Sequence, residues 1–361
     1  MTPFRIVLSI ALALSFAFGC GGAGVPETGD AGPTRTDGGM HGGDDAASPT
    51  TDAGTPTHDA SAPATDAWVA PGTDSGTTTG SRPDAVGPHT VTMSSTMLTG
   101  ATAVAFVPTL AAGERAPLVV FKHGYQLSTT NYAMLLQRIA SHGFVVIGVN
   151  TSSSFIGGPT NIDERDAILH TIDWALGAAP FAASVDATHI LVMGHSRGGK
   201  DAVLAAAADT RITAALLLDP VNGCGPGMGF SATCPDAASA TEAGALTIPV
   251  GVMGETNDGS GGFMPCAPTA QNYATIYAAI HASSWAVQWT FADAVHMTFT
   301  DDGGGTFGSF CAMEPTNVAT LRDDIRTMSV AFARYHLRGE TDMAAWLTGA
   351  SVPTGITRVG P

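Results

Sequence analysis

The stretch Ile190-Leu-Val-Met-Gly-His-Ser196-Arg-Gly-Gly-Lys200 constrains this chain more than any other. Ile190 to Met193 form a short apolar run that reads as a buried strand, and Asp201-Ala-Val-Leu-Ala-Ala-Ala-Ala reads as a helix. Between them, Gly194-His195-Ser196-Arg197-Gly198 fits G-x-S-x-G. That order of strand, tight turn and helix is the setting of a nucleophile elbow. Gly194 and Gly198 lack a Cβ, so strand and helix can close around a strained turn that lifts the Ser196 hydroxyl clear of the backbone. The helix N-terminus behind it favours negative charge building up on a bound substrate.

Apolar strands alternate with helices around this elbow. Strands are expected over 89–93, 101–108 and 117–122, then a helix over 131–141 with Ala133, Leu135, Leu136 and Ile139 on one face. A strand over 143–150 and a helix over 162–177 lead to the elbow. Beyond it come strands over 212–219 and 248–253, a helix over 273–281, a strand over 285–291 and a final helix over 316–337. Such alternation predicts a mostly parallel sheet covered by helices on both faces. Ligands on such sheets bind beyond the carboxyl ends of the strands. His123, Ser196, Asp219 and Asp258 all fall there.

Segment 21–87 is built almost wholly of Gly, Ala, Pro, Thr, Ser and Asp. It has no apolar run able to form a core and reads as a disordered tether. Nine Asp and one Glu against two Arg place half of the chain's formal charge of −16 in it. Lys122 and Lys200 are the only lysines and there is no basic patch, which argues against a nucleic-acid partner. Ahead of the tether, Arg5 precedes the apolar run Ile6 to Phe18, which has the length of a signal-peptide core and is too short to span a bilayer. Ala17-Phe18-Gly19-Cys20 resembles a bacterial lipobox, so Cys20 is expected to be lipidated and to hold the protein at the periplasmic face or cell surface. A plain secretory cleavage would release it instead. The expected organisation is a signal over 1–20, a tether over 21–87 and one catalytic domain over 88–361.

Four further cysteines in an exported chain suggest two disulfides, for which three pairings exist. Cys224 and Cys234 flank one short loop and are paired locally, which leaves Cys266 with Cys311. None has the paired C-x-x-C spacing of a structural zinc site, so no metal is expected.

Serine is a weak nucleophile until a base takes its proton, and the base needs an acid to hold its tautomer. The fold that carries this elbow orders them serine, acid, histidine along the chain. Downstream of Ser196, His281 and His336 fall in predicted helices, whereas His296 follows the last predicted strand in a loop able to reach the elbow. His296 is the expected base. Two acids stay open: Asp219 after the sixth strand, which is favoured, and Asp258 after the seventh. An oxyanion hole needs two backbone N–H groups. The amides of Arg197 and Tyr125 are expected to supply them, and the Tyr125 ring stands where it would also wall an acyl pocket.

Gly194-His-Ser-Arg-Gly-Gly-Lys200 resembles the elbow of the chlorophyllases, as does Asp219-Pro-Val-Asn-Gly223 after strand six. Pro265-Cys-Ala-Pro268, His296-Met-Thr-Phe-Thr-Asp-Asp302 and Ser141-His-Gly-Phe-Val-Val146 are also chlorophyllase-like. The resemblance runs discontinuously over most of 117–302 and gives the triad roles to Ser196, Asp219 and His296. Gly124-Tyr125 and Ala140-Ser-His-Gly-Phe-Val-Val-Ile147 look like bacterial cutinase-like polyester hydrolases, in which the acid follows strand seven. That likeness keeps Asp258 open.

Together the resemblances imply an α/β-hydrolase fold and a serine esterase that cleaves apolar carboxylic esters, small or polymeric, through an acyl-enzyme without a cofactor. The short Gly-, Ala- and Pro-rich stretch between Asp219 and Ile248 leaves no room for a large cap domain. A lipoprotein signal is not a chloroplast address, so chlorophyll itself is not the expected substrate. The chain is expected to work as a monomer. Two alternatives remain: a non-catalytic surface binding protein that retains the fold, and an acyltransferase that uses the same triad.

Overall fold

The computed structural model describes residues 81–361 apart from 153–157, 226–227 and 258–264. The segment expected to be a signal, most of the segment expected to be a tether, and Cys20 lie outside the described residues, and so does the alternative acid Asp258.

Nine strands form one sheet in the order β1-β2-β4-β3-β5-β6-β7-β8-β9. They are β1 (Val91–Leu98), β2 (Ala101–Pro108), β3 (Ala116–Lys122), β4 (Val145–Asn150), β5 (Val185–His195), β6 (Ala214–Leu218), β7 (Val250–Glu255), β8 (Ala286–Phe291) and β9 (Ile356–Val359). From β4 through β8 neighbouring strands run parallel, while β1, β2 and β9 are antiparallel additions at the edges. The helices are α1 (Ala133–Ser141), α2 (Asn161–Gly177), α3 (Arg197–Ala208), α4 (Tyr273–Ala279), α5 (Gly305–Gly308), α6 (Val318–Arg338) and α7 (Ala344–Leu347). This is the α/β-hydrolase arrangement, a mostly parallel sheet flanked by helices.

Every residue of β3 and β6 is buried, as expected of strands covered on both faces. Side chains alternate between two cores. Val119, Phe121, Leu191 and Met193 meet Leu136 of α1 and Phe332 of α6 on one face. Leu118, Val120, Ile190 and Val192 meet Ile168 of α2 and Val203 of α3 on the other. The edge strand β1 is largely exposed, in keeping with its run of Thr and Ser. Helix α2 starts where Thr160 caps it and Asp163 returns the bond, and α6 stops where Gly339 takes a left-handed φ of 65°.

Several boundaries differ from the sequence expectation for physical reasons. Helix α3 begins at Arg197 rather than Asp201. Gly198 and Gly199 are poor helix formers, yet they lie in its first turn because neighbours leave no space for a Cβ. Strand β9 escaped notice because it is four residues long, alternating and largely exposed, and among the described residues it pairs with β8 at the sheet edge. The end of the segment expected to be a tether makes contacts of its own. Ser81 to Gly87 pack on the domain: Arg334 donates to the Ser81 carbonyl, the Arg82 guanidinium lies 5.0 Å from the Trp346 ring centroid, and Gly87 N donates to Ser141 Oγ at 2.8 Å. These contacts are made by backbone groups and single side chains, so no apolar run announces them.

Between β6 and β7 the described residues hold no helix beyond the short 3-10 turn Ala243–Ala245, and no cap domain stands over the sheet there. Cys224 bonds Cys234 within this connection, and Cys266 bonds Cys311 across the loops that follow β7 and α5.

Candidate active site

Ser196 sits at φ 57°, ψ −124°, a conformation sparsely occupied by non-glycine residues. Its surroundings hold it there. Ser196 N donates to Leu218 O at 3.0 Å, and Val221 N donates to Ser196 O at 3.1 Å, so the turn is bolted to the end of β6. A Cβ on Gly194 would come within 2.0 Å of Gly198 O, and one on Gly198 within 2.2 Å of Lys122 O. The motif glycines therefore serve close backbone approach as well as the turn itself.

His296 opens a 3-10 turn shortly after β8, and its ring is buried. Its Nε2 lies 2.9 Å from Ser196 Oγ, and its Nδ1 lies 2.5 Å from Asp219 Oδ2. Asp219 is fully buried at the end of β6, with a φ of 40° and its own N–H bonded to Met253 O at 2.8 Å. In this arrangement the carboxylate accepts the Nδ1 proton, which leaves the Nε2 lone pair facing the serine hydroxyl. Both distances lie within the reach that proton transfer requires. Ser196 keeps 8% of its surface exposed, so a carbonyl can approach it. The other two downstream histidines are elsewhere. His336 packs in α6 among Trp285, Phe332 and Tyr335, and His281 is exposed just past the end of α4.

The loop after β3 lies directly against the elbow, since a Cβ on Gly124 would come within 3.1 Å of Ser196 Cβ. It brings Tyr125 beside the start of α3, where Arg197 supplies the first amide after the serine. A small open cleft adjoins the two, lined by Gly124, Tyr125, Gln126, Pro159, Glu164 and Arg197 among others. The Tyr125 ring meets Phe307 of α5 edge-on with centroids 5.7 Å apart, forming an aromatic wall.

Sequence reasoning missed three groups around the site. His195 and Tyr132 link the loop after β3 to His296 by hydrogen bonds. Glu164 joins Lys122 to Arg197. Lys122 carried a readable signal, since a lysine closing an otherwise apolar strand must find a partner. Lys200 is a further buried lysine, with Nζ 3.1 Å from Cys234 Sγ, and burial lowers its pKa to about 8. Among the described residues, no group of three or more His, Cys, Asp or Glu side chains converges as a metal site would require.

Comparisons with known proteins bear on the family. The family model for chlorophyllase matches residues 85–356, from just ahead of β1 to the start of β9. Chlorophyllase-1 of Arabidopsis thaliana is 30% identical over 242 residues, covering 62% of this chain and 73% of that protein. Chlorophyllase-2 of the same plant is 27% identical over 242 residues, covering 62% and 74%. Cutinase est1 of Thermobifida alba is 33% identical over 108 residues, but these cover only 28% of this chain and 34% of the cutinase. The cutinase likeness is local, whereas the other takes in β1 through β8, the elbow and the histidine turn: the chain belongs to the chlorophyllase family.

Proposed function

We propose that this chain is an exported, lipid-anchored serine hydrolase that cleaves carboxylic esters of apolar substrates. Its chlorophyllase and cutinase relatives are carboxylic ester hydrolases, and that activity is the frame of the reading. The observation that carries it is His296, whose two ring nitrogens reach Ser196 Oγ at 2.9 Å and Asp219 Oδ2 at 2.5 Å.

The reaction follows from that geometry. Ser196 Oγ attacks the ester carbonyl carbon as His296 Nε2 takes its proton, and Asp219 stabilises the imidazolium. The carbonyl oxygen becomes an oxyanion that accepts from the amides of Tyr125 and Arg197. Collapse expels the alcohol, which leaves with the proton from His296 Nε2. Water then attacks the acyl-enzyme with His296 again as base, releasing the acid and restoring Ser196.

The aromatic wall of Tyr125 and Phe307 beside the serine suits a greasy ester. Two disulfides support folding in an oxidising compartment, and the lipobox-like segment ending at Cys20 supports a membrane anchor. The test is an organophosphonate probe on the full-length protein, followed by p-nitrophenyl esters of increasing chain length. Labelling at Ser196 that disappears in Ser196→Ala, with turnover favouring longer acyl chains, is the expected result. Labelling that survives the substitution, or turnover confined to acetate, defeats the reading.

A further inference from the structure

We propose that Glu164 is a positioning residue that sets both halves of the oxyanion hole, acting through Lys122 on one side and Arg197 on the other. The inference rests on the esterase reading above. Glu164 lies in the first turn of α2 and is 4% exposed. Its Oε1 stands 3.1 Å from Lys122 Nζ and accepts from Thr151 Oγ1 at 2.9 Å, while its Oε2 accepts from Arg197 Nε. Lys122 ends β3, three residues before Tyr125, and Arg197 carries the other donor amide itself. A single carboxylate thus grips the side chains that flank both donors.

On the Lys122 side the linkage can be followed atom by atom. Lys122 Nζ also reaches His123 Nε2 at 3.2 Å and the His123 carbonyl at 3.4 Å. Thr151 N donates to the same Nε2 at 3.3 Å, so the His123 proton resides on Nδ1, which donates to Gly124 O at 2.8 Å. Leu127 N shares that carbonyl at 3.2 Å. The Gly124 carbonyl and the Tyr125 N–H belong to one trans peptide plane and point in opposite directions. Fixing the carbonyl therefore aims the N–H. On the other side, Arg197 Nη2 donates to Pro159 O at 2.7 Å, so its guanidinium is held at two points while its backbone opens α3.

The charges fit this role. Burial alone would raise the Glu164 carboxyl, but Lys122 and Arg197 outweigh it and hold it down at about 2. Asp201, the neighbouring buried carboxyl, is pushed well above its usual range by burial and by the Glu164 charge, and it accepts from Asn161 Nδ2 at 2.6 Å. Glu164 is thus the carboxylate that stays ionised against the two cations. Buried ion networks are weak sources of stability and are often replaceable by apolar residues, so stability alone does not account for one placed at both donors.

The test compares full-length wild type, Glu164→Gln and Lys122→Met/Glu164→Gln on p-nitrophenyl butyrate. The second variant removes the lysine charge that the first leaves buried and unpaired. Affinity for a trifluoromethyl ketone, which adds to Ser196 as a hemiketal oxyanion, is measured alongside. A misaimed donor should cost about tenfold to a hundredfold in kcat, somewhat less than outright loss of an oxyanion-hole donor. Ketone affinity should fall in parallel, with KM within about twofold. Both variants should show the loss, including the double variant at a melting temperature near wild type. A folded Glu164→Gln with wild-type kcat and ketone affinity overturns the inference, and so does lost kcat with unchanged ketone affinity. A wild type that turns over no ester overturns the esterase reading along with it.

Discussion

The rings of His195 and His296 lie 4.5 Å apart, and His195 Nε2 donates to the backbone carbonyl of His296 at 3.1 Å. The other His195 nitrogen accepts from Tyr132 Oη at 2.7 Å, and Tyr132 Oη in turn accepts from Gly124 N at 3.2 Å. Burial, with the nearby His296 next, pushes His195 well below the ordinary histidine range, so it stays neutral in one tautomer. The residue that fills the first variable position of G-x-S-x-G therefore ties the loop carrying Tyr125 to the backbone of the proposed base.

Tyr132→Phe tests that chain of bonds. The substitution keeps the ring against Phe121 but strands the Gly124 N–H and the His195 Nδ1 without the hydroxyl between them. Unsatisfied buried groups of this kind cost about 1–3 kcal/mol each. Urea denaturation should show a loss of that order, with reduced kcat in the protein that remains folded. Unchanged stability and turnover would mean that the hydroxyl is incidental.

The proposed acid is tested by paired substitutions. A carboxylate that holds histidine in its working tautomer cannot be replaced by an amide without a large loss, on the order of 10⁴ in kcat in the serine-protease case. Asp219→Asn should therefore nearly abolish ester hydrolysis at an unchanged melting temperature. Asp258→Asn should keep most of it. An active Asp219→Asn beside a dead but folded Asp258→Asn would move the acid to the loop after β7.

Much of the fold is legible in the sequence, because fully buried parallel strands write themselves as short apolar runs. The runs at Leu118 to Phe121 and Ile190 to Met193 are of that kind, and the elbow follows the second directly. What stayed hidden depends on tertiary contact. Tyr132 and Glu164 lie on helical segments whose pattern marks them only as polar-tolerant positions, and their partners His195 and Arg197 are 63 and 33 residues away. Ser81 to Gly87 escaped for a similar reason, because composition describes a segment and not the single bonds that dock its end. Spacing alone leaves the acid open between two strand ends. It takes the crossing of β6 beside β5 to bring Asp219 behind His296.

The last expectation concerns acid. His142 is 3% exposed, with Nε2 bonded to Ala85 O at 3.0 Å and Nδ1 3.3 Å from Ser81 Oγ. Burial chiefly, with Arg334, Arg138 and Arg338 nearby, lowers its pKa from 6.5 to about 4. Because the folded value lies below the unfolded one, the unfolded chain binds more protons between the two. The stabilising contribution of neutral His142 is thus complete above pH 6.5 and is lost as pH falls towards 4. The raised carboxyls Asp201 and Asp324 carry the opposite sign, so the slope of the whole protein does not isolate this group. The difference from His142→Gln does, since glutamine can still pair with Ala85 O and Ser81 but does not titrate. Between pH 8 and pH 5 wild type should lose about 2 kcal/mol more than the variant, by linkage from a shift of this size. Urea denaturation at the two pH values reads it directly. Parallel losses in the two proteins would show that His142 takes no part in the acid response.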